Sequence, residues 1–542
     1  MSNAPAPGPL PADLRDATRR GWGAVASVDA LASSAGVALL RAGGSAADAA
    51  VGASAVLAVT TQHMCGAGGD LVAVVHPGGG AAPRALLAVG RAGSGADAAA
   101  MRDEGLTAVP LRDDVRAVTV PGCVDGWLAL HAAHGRLPLA DVLGPAAELA
   151  EGGFPVSPLL AAALPRVAGV EGAQELVGDA PARAGDVRRR PGLGRALREI
   201  AQDGRDAWYG GDFGAGLLRV GGGLFAPEDL AADLAEWTEP LQVAVHGGTL
   251  HAPGAPTQSH LVLAAARLLA LVGGLPRDPD DPLWPHLVVE ACRAVGRDRP
   301  RSLYDGADLS ALLADEELLR RAAVIDPARA DSAQVPTAGG GTVYLCAVDR
   351  DGGAVSLSQS NAAGFGSHLA VREVGVFLQN RGLGFSLEPG HPAELAPGRR
   401  PPHTLAPVLL TGPDGAVRTV VGTMGGDAQP QVVLQLLERL AAGASPAAAV
   451  AAPRVALAGP HGTGFDTWEA GPRGGPPAPA LRVEATAPAG WAAGLRSRGH
   501  LVEVAPAGGA FGHAQVATRD AGSGVVAAAA DPRAGTGDAA VL

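Results

Sequence analysis

One short segment limits what this chain can fold into more than any other: residues 339–360, GGGTVYLCAVDRDGGAVSLSQS. Its apolar and β-branched residues flank a turn rich in aspartate and glycine, a pattern typical of a β-hairpin. We predict a first strand at 342–348, a turn at 349–353 and a return strand at 354–360. The three glycines before the first strand give backbone freedom where a chain bends sharply or is approached closely.

The register of this hairpin brings two hydroxyl side chains together. If Asp349 faces Ala354, Ser360 lies beside Thr342 and its neighbour. A threonine at a chain N-terminus can act as a nucleophile, because its own α-amine serves as the base for its hydroxyl. Thr342 is internal, so the Gly341–Thr342 bond must first be cut. The flexible glycines would let the Thr342 hydroxyl reach the preceding carbonyl for an N-to-O acyl shift, and Ser360 would hold that hydroxyl in place.

Composition excludes several other chemistries. All 42 basic residues are arginines, so no P-loop lysine, Schiff-base lysine or serine–lysine dyad exists. The net charge of -12 gives no electrostatic footprint for nucleic acid. No G-x-S-x-G motif marks a serine hydrolase. The four cysteines are too far apart for a zinc ribbon or a disulfide framework, and His63 with Cys65 makes only a weak metal motif.

The ends and apolar runs of the chain predict its location. Residues 1–20 lack a basic start followed by an apolar run, so we expect a loose arm and no secretory signal. No run of about 18 apolar residues indicates a membrane span. We therefore expect a soluble, cytoplasmic protein that binds no membrane.

Strands and helices are segregated rather than alternating, which favours an α+β fold. After Gly23 the sequence predicts a short strand and two helices, the second capped by Ser45 or Asp48 and fully buried. The region 137–320 reads as mostly helical. Further strands are predicted at 375–379, 406–410 and 417–421, followed by a helix that begins QPQVVLQLLERL.

Several motifs in succession resemble the γ-glutamyltranspeptidase family of N-terminal nucleophile hydrolases, in its acylase-like bacterial branch. The resemblance spans nearly the whole chain. The motifs, in chain order, are GGSAADAAVGASAVLAVTTQHMCGAGGD, AVTVPGCVDGWLALHAAHGRLP, GPAAELAEGGFPVS, the hairpin itself, LQNRGLGFSLEPGHPAELAPGRRPPHTLAP, GTMGGDAQPQ and the terminal GHAQVATRD with DPR. Each motif alone is weak evidence, but their order is specific.

The resemblance implies a fold and a chain division. The fold would be the four-layer αββα sandwich of N-terminal nucleophile hydrolases, one compact domain. Cleavage would leave a large chain ending at Gly341, whose folded part spans 21–341, associated with a small chain 342–542. A homodimer of such processed units is compatible with the resemblance, and no metal or organic cofactor is expected.

The resemblance also assigns catalytic roles. Thr342 falls on the nucleophile and Ser360 on the hydroxyl that supports it. Gly425 and Gly426 fall on the pair whose backbone N–H groups form the oxyanion hole, where the main chain must approach the developing charge closely. Asn380 and Arg381 fall in the wall that binds the acyl group.

Several positions depart from the family pattern for γ-glutamyl recognition. The arginine that grips the glutamyl carboxylate falls on Val89, and Arg91 could replace it only if the loop shifts. The aspartate that pairs with the glutamyl amine falls on Gly384. The usual Ser-Ser pair is His403–Thr404, of which His403 reads as a wall residue rather than a base. Arg381 stands where the family has glutamine.

These departures predict an acyl group that carries a carboxylate but no amine, such as a glutaryl group, because a buried ammonium without a partner is costly. A structural role for Arg381, paired with Glu373 or Glu388, is an equal alternative. Three functions follow: γ-glutamyl transfer or glutathione hydrolysis by a transferase zymogen, a cephalosporin-acylase-like amidase, or an unprocessed homologue that only binds a small amide.

Overall fold

The structure is a computed structural model that describes residues 17–297, 299–331, 342–457, 481–508 and 511–542. Gly341 and most of the predicted N-terminal arm lie outside these residues. The described chain is already ordered at Arg19–Gly21, which forms a strand. Among the described helices, none combines the length and apolar character needed to cross a membrane.

The strands are numbered in chain order. They are β1 (Arg19–Gly21), β2 (Ala24–Ser27), β3 (Asp70–His76), β4 (Arg84–Ala88), β5 (Phe154–Pro155), β6 (Val187–Arg188), β7 (Ala235–Thr238), β8 (Leu241–Val245), β9 (Gly248–Ala252), β10 (Val343–Val348), β11 (Ala354–Ser360), β12 (Ala370–Val371), β13 (Val376–Phe377), β14 (Val408–Thr411), β15 (Val417–Thr423), β16 (Val455–Leu457), β17 (Leu481–Glu484), β18 (Val502–Ala505), β19 (Ala514–Arg519), β20 (Val526–Ala530) and β21 (Asp538–Val541).

The helices are numbered in the same way. They are α1 (Ala30–Arg41), α2 (Ala46–Thr60), α3 (Ala98–Asp103), α4 (Cys123–His134), α5 (Leu139–Gly152), α6 (Pro158–Ala163), α7 (Gln174–Val177), α8 (Pro191–Asp203), α9 (Arg205–Tyr209), α10 (Asp212–Gly221), α11 (Pro227–Ala231), α12 (His260–Leu271), α13 (Leu283–Gly296), α14 (Arg299–Ser302), α15 (Asp315–Ala322), α16 (Gln429–Ala441), α17 (Pro446–Ala451) and α18 (Ala489–Ser497).

Two seven-stranded sheets organise the fold. Sheet I has the strand order β21-β2-β10-β11-β3-β4-β7, and sheet II has the order β1-β20-β19-β15-β14-β9-β8. Strands from before and after residue 341 are interleaved in both sheets. In sheet I, for example, β2 lies between β21 and β10 and pairs with both of them.

The two sheets pack face to face through a shared apolar cluster. Val74 and Tyr344 of sheet I meet Leu409 and Val420 of sheet II in this cluster. A Cβ at Gly422 in β15 would clash with the ring of Tyr344, so glycine is needed for the two sheets to approach. This interface fixes the position of β10, the strand that follows Thr342.

Helices cover the outer face of each sheet. On sheet I, helices α1, α2, α4, α5 and α8 contribute to a cluster that includes Leu71, Leu345 and Leu357. On sheet II, helices α12, α13 and α16 contribute to a cluster that includes Leu250 and Val421. Helix α2 is buried along its whole length, as predicted, and Ser45 and Asp48 form a reciprocal capping box at its start.

The hairpin forms as predicted, with a register one residue different. Val348, not Asp349, is opposite Ala354. Asp349 instead belongs to the turn, where its N–H donates to the carbonyl of Gly353 at 2.9 Å and its carboxylate accepts from the Gly353 N–H at 2.8 Å. Val343 pairs with Gln359, so the residue before it, Thr342, lies at the level of Ser360.

The expectation of a mostly helical region at 137–320 is wrong at its centre. Strands β7, β8 and β9 lie there, and β8 and β9 form one edge of sheet II. The β8–β9 turn has positive φ at both His246 and Gly247, which is the type I′ geometry that suits a hairpin. The predicted strand at 375–379 is reduced to the two residues of β13.

Candidate active site

Three polar side chains lie side by side at one end of sheet I. Thr342 precedes β10, Ser360 ends β11 and Asp70 begins β3, and Ser360 pairs with Asp70 in the sheet register. The Thr342 Oγ1 and Ser360 Oγ atoms are 3.1 Å apart. All three residues are buried. Adjacent central strands therefore hold these groups on a rigid base.

Ser360 receives two further hydrogen bonds. The N–H of Ala362 donates to Ser360 Oγ at 2.9 Å, and Arg381 Nη2 donates to the same atom at 3.0 Å. Since Ser360 Oγ accepts from both, its own hydrogen can be directed to an acceptor such as Thr342 Oγ1. This arrangement fixes the hydroxyl beside the candidate nucleophile.

Arg381 is the fully buried centre of the site. Its Nη1 donates to Thr404 Oγ1 at 3.3 Å, and its Nε lies 3.4 Å from Asp70 Oδ2. The predicted structural partners are wrong: Glu373 pairs with Arg219, and the contact of Glu388 is with Arg301. The carboxylate next to Arg381 is that of Asp70, which is far away in the sequence. The pairing of β3 with β11 brings it close.

Burial shapes the charges of this pair. It raises the pKa of Asp70 to about 6, although Arg381 and the N–H of Gly90 oppose the shift. Burial also lowers the pKa of Arg381 to about 10, although the Asp70 carboxylate opposes that shift. Arg381 therefore remains a cation at neutral pH, and Asp70 can titrate in the physiological range.

His403 and Thr404 form the wall next to this pair. His403 Nε2 is 3.9 Å from Asp70 Oδ2. Burial, with smaller contributions from Arg381 and Arg400, holds the pKa of His403 well below its usual range. His403 is therefore neutral, which agrees with a wall residue rather than a protonated group.

Gly425 and Gly426 lie between β15 and helix α16. Their φ angles are 136° and 56°, which only glycine adopts readily. Gln258 Nε2 donates to the carbonyl of Gly426 at 2.9 Å and to that of Thr404 at 2.6 Å. The Gln258 side chain thus joins the glycine turn to Thr404. The turn also lies at the start of a helix, where backbone N–H groups favour negative charge.

Asn380 and Arg91 are placed by other contacts. Asn380 Oδ1 accepts from the N–H of Ala363 at 3.0 Å, and its Nδ2 donates to a carbonyl at 2.8 Å. The half-exposed Arg91 donates to the carbonyl of Gly398 at 3.0 Å, and its Nη1 is 3.6 Å from a carboxylate oxygen of Asp305. Among the described contacts, neither side chain joins the Thr342–Ser360–Arg381 chain.

The structure explains two departures from the family pattern. A Cβ at Gly384 would clash with the carbonyl oxygen of Pro402, so an aspartate does not fit here without a backbone shift. Val89 packs in an apolar cluster with Val72, Leu87 and Leu405. These positions therefore supply neither the carboxylate nor the guanidinium that a glutamyl group needs.

A cavity of about 330 Å³ opens beside the wall. Its lining includes Thr404, which accepts a hydrogen bond from Arg381, and also Gly384, Leu303, Phe385 and Arg299. Arg299 donates to Asp427 at 2.8 Å, directly after the glycine turn. The cavity thus lies next to the candidate site and has mixed polar and apolar walls.

Potential metal ligands lie elsewhere. In the described part of the chain, one group of three such residues occurs: His286, Glu290 and His500. His286 Nδ1 and His500 Nε2 are 2.8 Å apart and share a hydrogen bond, and Arg293 donates to Glu290. Protein contacts thus account for this group. Burial lowers the pKa of His63, the histidine of the weak metal motif, to about 3.

Asp70 is the site residue that the sequence reasoning missed. Asp70 is the last residue of the first family motif, which ends in GAGGD, and no role was predicted for it. The stronger signal was an aspartate directly before the apolar run LVAVV, because a buried aspartate needs a partner. A Cβ at Gly69 would clash with the carbonyl oxygen of Ser360, so this glycine lets the chain before Asp70 approach the end of β11.

Comparison with known proteins agrees with this geometry. Residues 32–541 match the γ-glutamyltranspeptidase family. An oxamate amidohydrolase proenzyme of Klebsiella pneumoniae is 36% identical, over 93% of this chain and 95% of the relative. The glutathione hydrolase-like YwrD proenzyme of Bacillus subtilis is 34% identical, over 89% and 91%. The crystal structure of a cephalosporin acylase from Bacillus halodurans superposes with a TM-score of 0.87 at 32% identity, covering 100% of this chain and 99% of the other. The chain therefore belongs to the γ-glutamyltranspeptidase family and is an acylase-like amidohydrolase of mixed α/β fold.

Proposed function

We propose that the chain cleaves itself before Thr342 and then hydrolyses amides through an acyl-enzyme on the Thr342 hydroxyl. The observation that carries this proposal is the hydrogen-bonded series Thr342–Ser360–Arg381 at the end of two central strands. The proenzyme names of two relatives support it. The two sheets with helices on both outer faces support the four-layer αββα arrangement of N-terminal nucleophile hydrolases.

Self-cleavage would proceed as an N-to-O acyl shift. The Thr342 Oγ attacks the carbonyl carbon of Gly341, the Gly341–Thr342 C–N bond breaks, and the proton from Oγ goes to the new α-amine. Water then hydrolyses the ester. The products are a carboxylate at Gly341 and a free α-amine on Thr342, which is the base that the second reaction needs.

Turnover would use the same hydroxyl. The α-amine takes the proton from Thr342 Oγ as this oxygen attacks the substrate carbonyl. Backbone N–H groups at Gly425 and Gly426 stabilise the oxyanion. The C–N bond then breaks and the leaving amine receives the proton. Water attacks the resulting ester, releases the acid and restores Thr342.

The acyl group is proposed to carry a carboxylate and no α-amine. Arg381 is a buried cation two contacts from the nucleophile, whereas Gly384 and Val89 offer nothing to a glutamyl ammonium or carboxylate. The name of the Klebsiella relative refers to oxamate, an amide of this type. We therefore favour hydrolysis of amides whose acyl group carries a carboxylate over γ-glutamyl transfer.

Intact-mass spectrometry and denaturing electrophoresis test this proposal. We expect two chains that meet at residues 341 and 342, and one full-length chain for Thr342→Ala. Glutaryl-p-nitroanilide should be hydrolysed faster than γ-glutamyl-p-nitroanilide. An uncleaved wild-type protein without amidase activity would instead support the unprocessed binding homologue.

A further inference from the structure

Arg381 stands between the nucleophile and the cavity. On one side its Nη2 contacts Ser360, which in turn contacts Thr342. On the other side its Nη1 contacts Thr404, which lines the cavity. Along this series of contacts, Arg381 therefore comes between Thr342 and the cavity-lining Thr404.

The guanidinium is held firmly in this place. Asp70 faces Nε, Ser360 faces Nη2 and Thr404 faces Nη1, and the Arg381 side chain is fully buried. The Asp70 carboxylate is itself anchored, since Oδ1 accepts from the N–H of Gly90 at 2.9 Å. Withdrawing the guanidinium would break these contacts and leave Asp70 as a buried, unpaired charge, which is costly.

The position of the Arg381 guanidinium limits the length of the acyl chain that can lie between it and Thr342. In the attack geometry, the scissile carbon lies about 3–3.5 Å from the nucleophilic oxygen. A carboxylate oxygen bonded to arginine lies about 2.8 Å from its nitrogen. Thr342 Oγ1 and Arg381 Nη2 each lie next to Ser360 Oγ, at 3.1 and 3.0 Å, so the oxygen and the nitrogen are separated by no more than these two contacts end to end. Little room remains between the two substrate groups.

We propose that Arg381 closes the acyl pocket and pairs with the substrate carboxylate, so that the enzyme prefers monoamides of the shortest dicarboxylic acids. In these substrates one or two carbon–carbon bonds of about 1.5 Å separate the carboxylate from the scissile carbonyl. A glutaryl group has four such bonds and would have to fold back on itself. This inference rests on the proposed function and replaces its glutaryl example with a shorter acyl class.

A chain-length series tests the inference. Ammonia release is measured for the processed wild type with oxamate, malonamate, succinamate and glutaramate, which differ only in the number of methylenes. We expect kcat/KM to fall by at least about 10-fold from the better of the two shortest substrates to glutaramate, in the range that pocket-length discrimination reaches. Equal or faster hydrolysis of glutaramate would overturn the inference.

Arg381→Gln removes the stop and joins the cavity to the nucleophile side. This variant should lose most of its activity on oxamate and much less on glutaramate, so that the preference falls to within about threefold. An unchanged order of preference in the variant would contradict the inference. If the variant remains uncleaved, the wild-type series alone decides.

Arg190→Gln is the matched control. Arg190 is also a fully buried arginine, but it donates to the main-chain carbonyls of Ala58 and Gly375. Its loss should lower stability and leave the ratio between short and long substrates unchanged. Failure of the proposed function would look different, as wild-type protein that is uncleaved or that releases no ammonia from any of the four amides.

Discussion

Two buried arginine–aspartate pairs in this protein are built differently. Arg454 donates to Asp531 at 2.6 Å and to the carbonyl of Phe511 at 2.6 Å. Arg381 lies 3.4 Å from Asp70 and directs its other nitrogens to two hydroxyl groups. The first arginine donates to acceptors of the surrounding fold, whereas the second one contacts the groups around the candidate nucleophile, Thr342.

The pKa values of the two aspartates are shifted in opposite directions. Burial alone would raise the pKa of Asp531, but Arg454 and Arg533 together lower it below its usual range. At Asp70 burial dominates, and the pKa rises to about 6. At Asp531 the neighbouring arginines outweigh the cost of burying the carboxylate, which is typical of a structural ion pair. At Asp70 they do not, and a buried carboxyl group with a raised pKa is typical of a ligand-binding or catalytic site.

The largest expected effect comes from Thr342→Ala, which removes the candidate nucleophile and leaves both arginine–aspartate pairs in place. Cleavage should stop and amidase activity should fall by at least about 10³-fold, since the nucleophile is absent. The melting temperature should stay close to that of an uncleaved precursor. Residual cleavage before residue 342, seen by mass spectrometry, would contradict this expectation.

Asp70→Asn and Asp531→Asn should separate activity from stability. Asp70→Asn should lower kcat/KM by about 100-fold, because Arg381 loses the group that positions it. Asp531→Asn should cost about 3–5 kcal/mol of stability and keep kcat/KM per folded molecule. Thermal unfolding and amide hydrolysis measured on both variants check the comparison, which fails if their two effects are alike.

The pH dependence of stability should have opposite signs at the two aspartates. Because the pKa of Asp70 is raised to about 6 in the folded state, its contribution to stability declines as pH rises from about 4 to about 6. Asp531 has a lowered pKa, so its stabilisation is present above its ordinary pKa and is lost in stronger acid. Melting temperatures are measured from pH 3 to 7. The decline with rising pH should be weaker only in Asp70→Asn, and the loss of stability in acid should be weaker only in Asp531→Asn.

Arg91→Gln should have the smallest effect. Arg91 is half-exposed and contacts the Gly398 carbonyl and Asp305, so its interactions are weakened by solvent. We expect kcat/KM within about twofold of wild type. A 10-fold rise in KM for carboxylate-bearing amides would place Arg91 in the substrate site after all.

Local patterns predicted the hairpin and a helix cap by Ser45 or Asp48, because turn chemistry and capping depend on residues close in sequence. The distance between Thr342 and Ser360 followed from the same hairpin, even though the assumed register was off by one residue. The partner of Arg381 could not be found in this way, since Asp70 lies on a strand from the other end of the chain. Strands β7–β9 were missed because each is only four or five residues long and they follow a long run of helices.

The interleaved strand order has a consequence for the life of the molecule. Strand β2 of the would-be large chain is hydrogen-bonded between β21 and β10 of the small one, and in sheet II β1 and β9 flank the small chain's strands. If the proposed scission before Thr342 occurs, the two resulting polypeptides could separate only by breaking the strand pairing in both sheets. We therefore expect each processed molecule to retain the two halves with which it was synthesised.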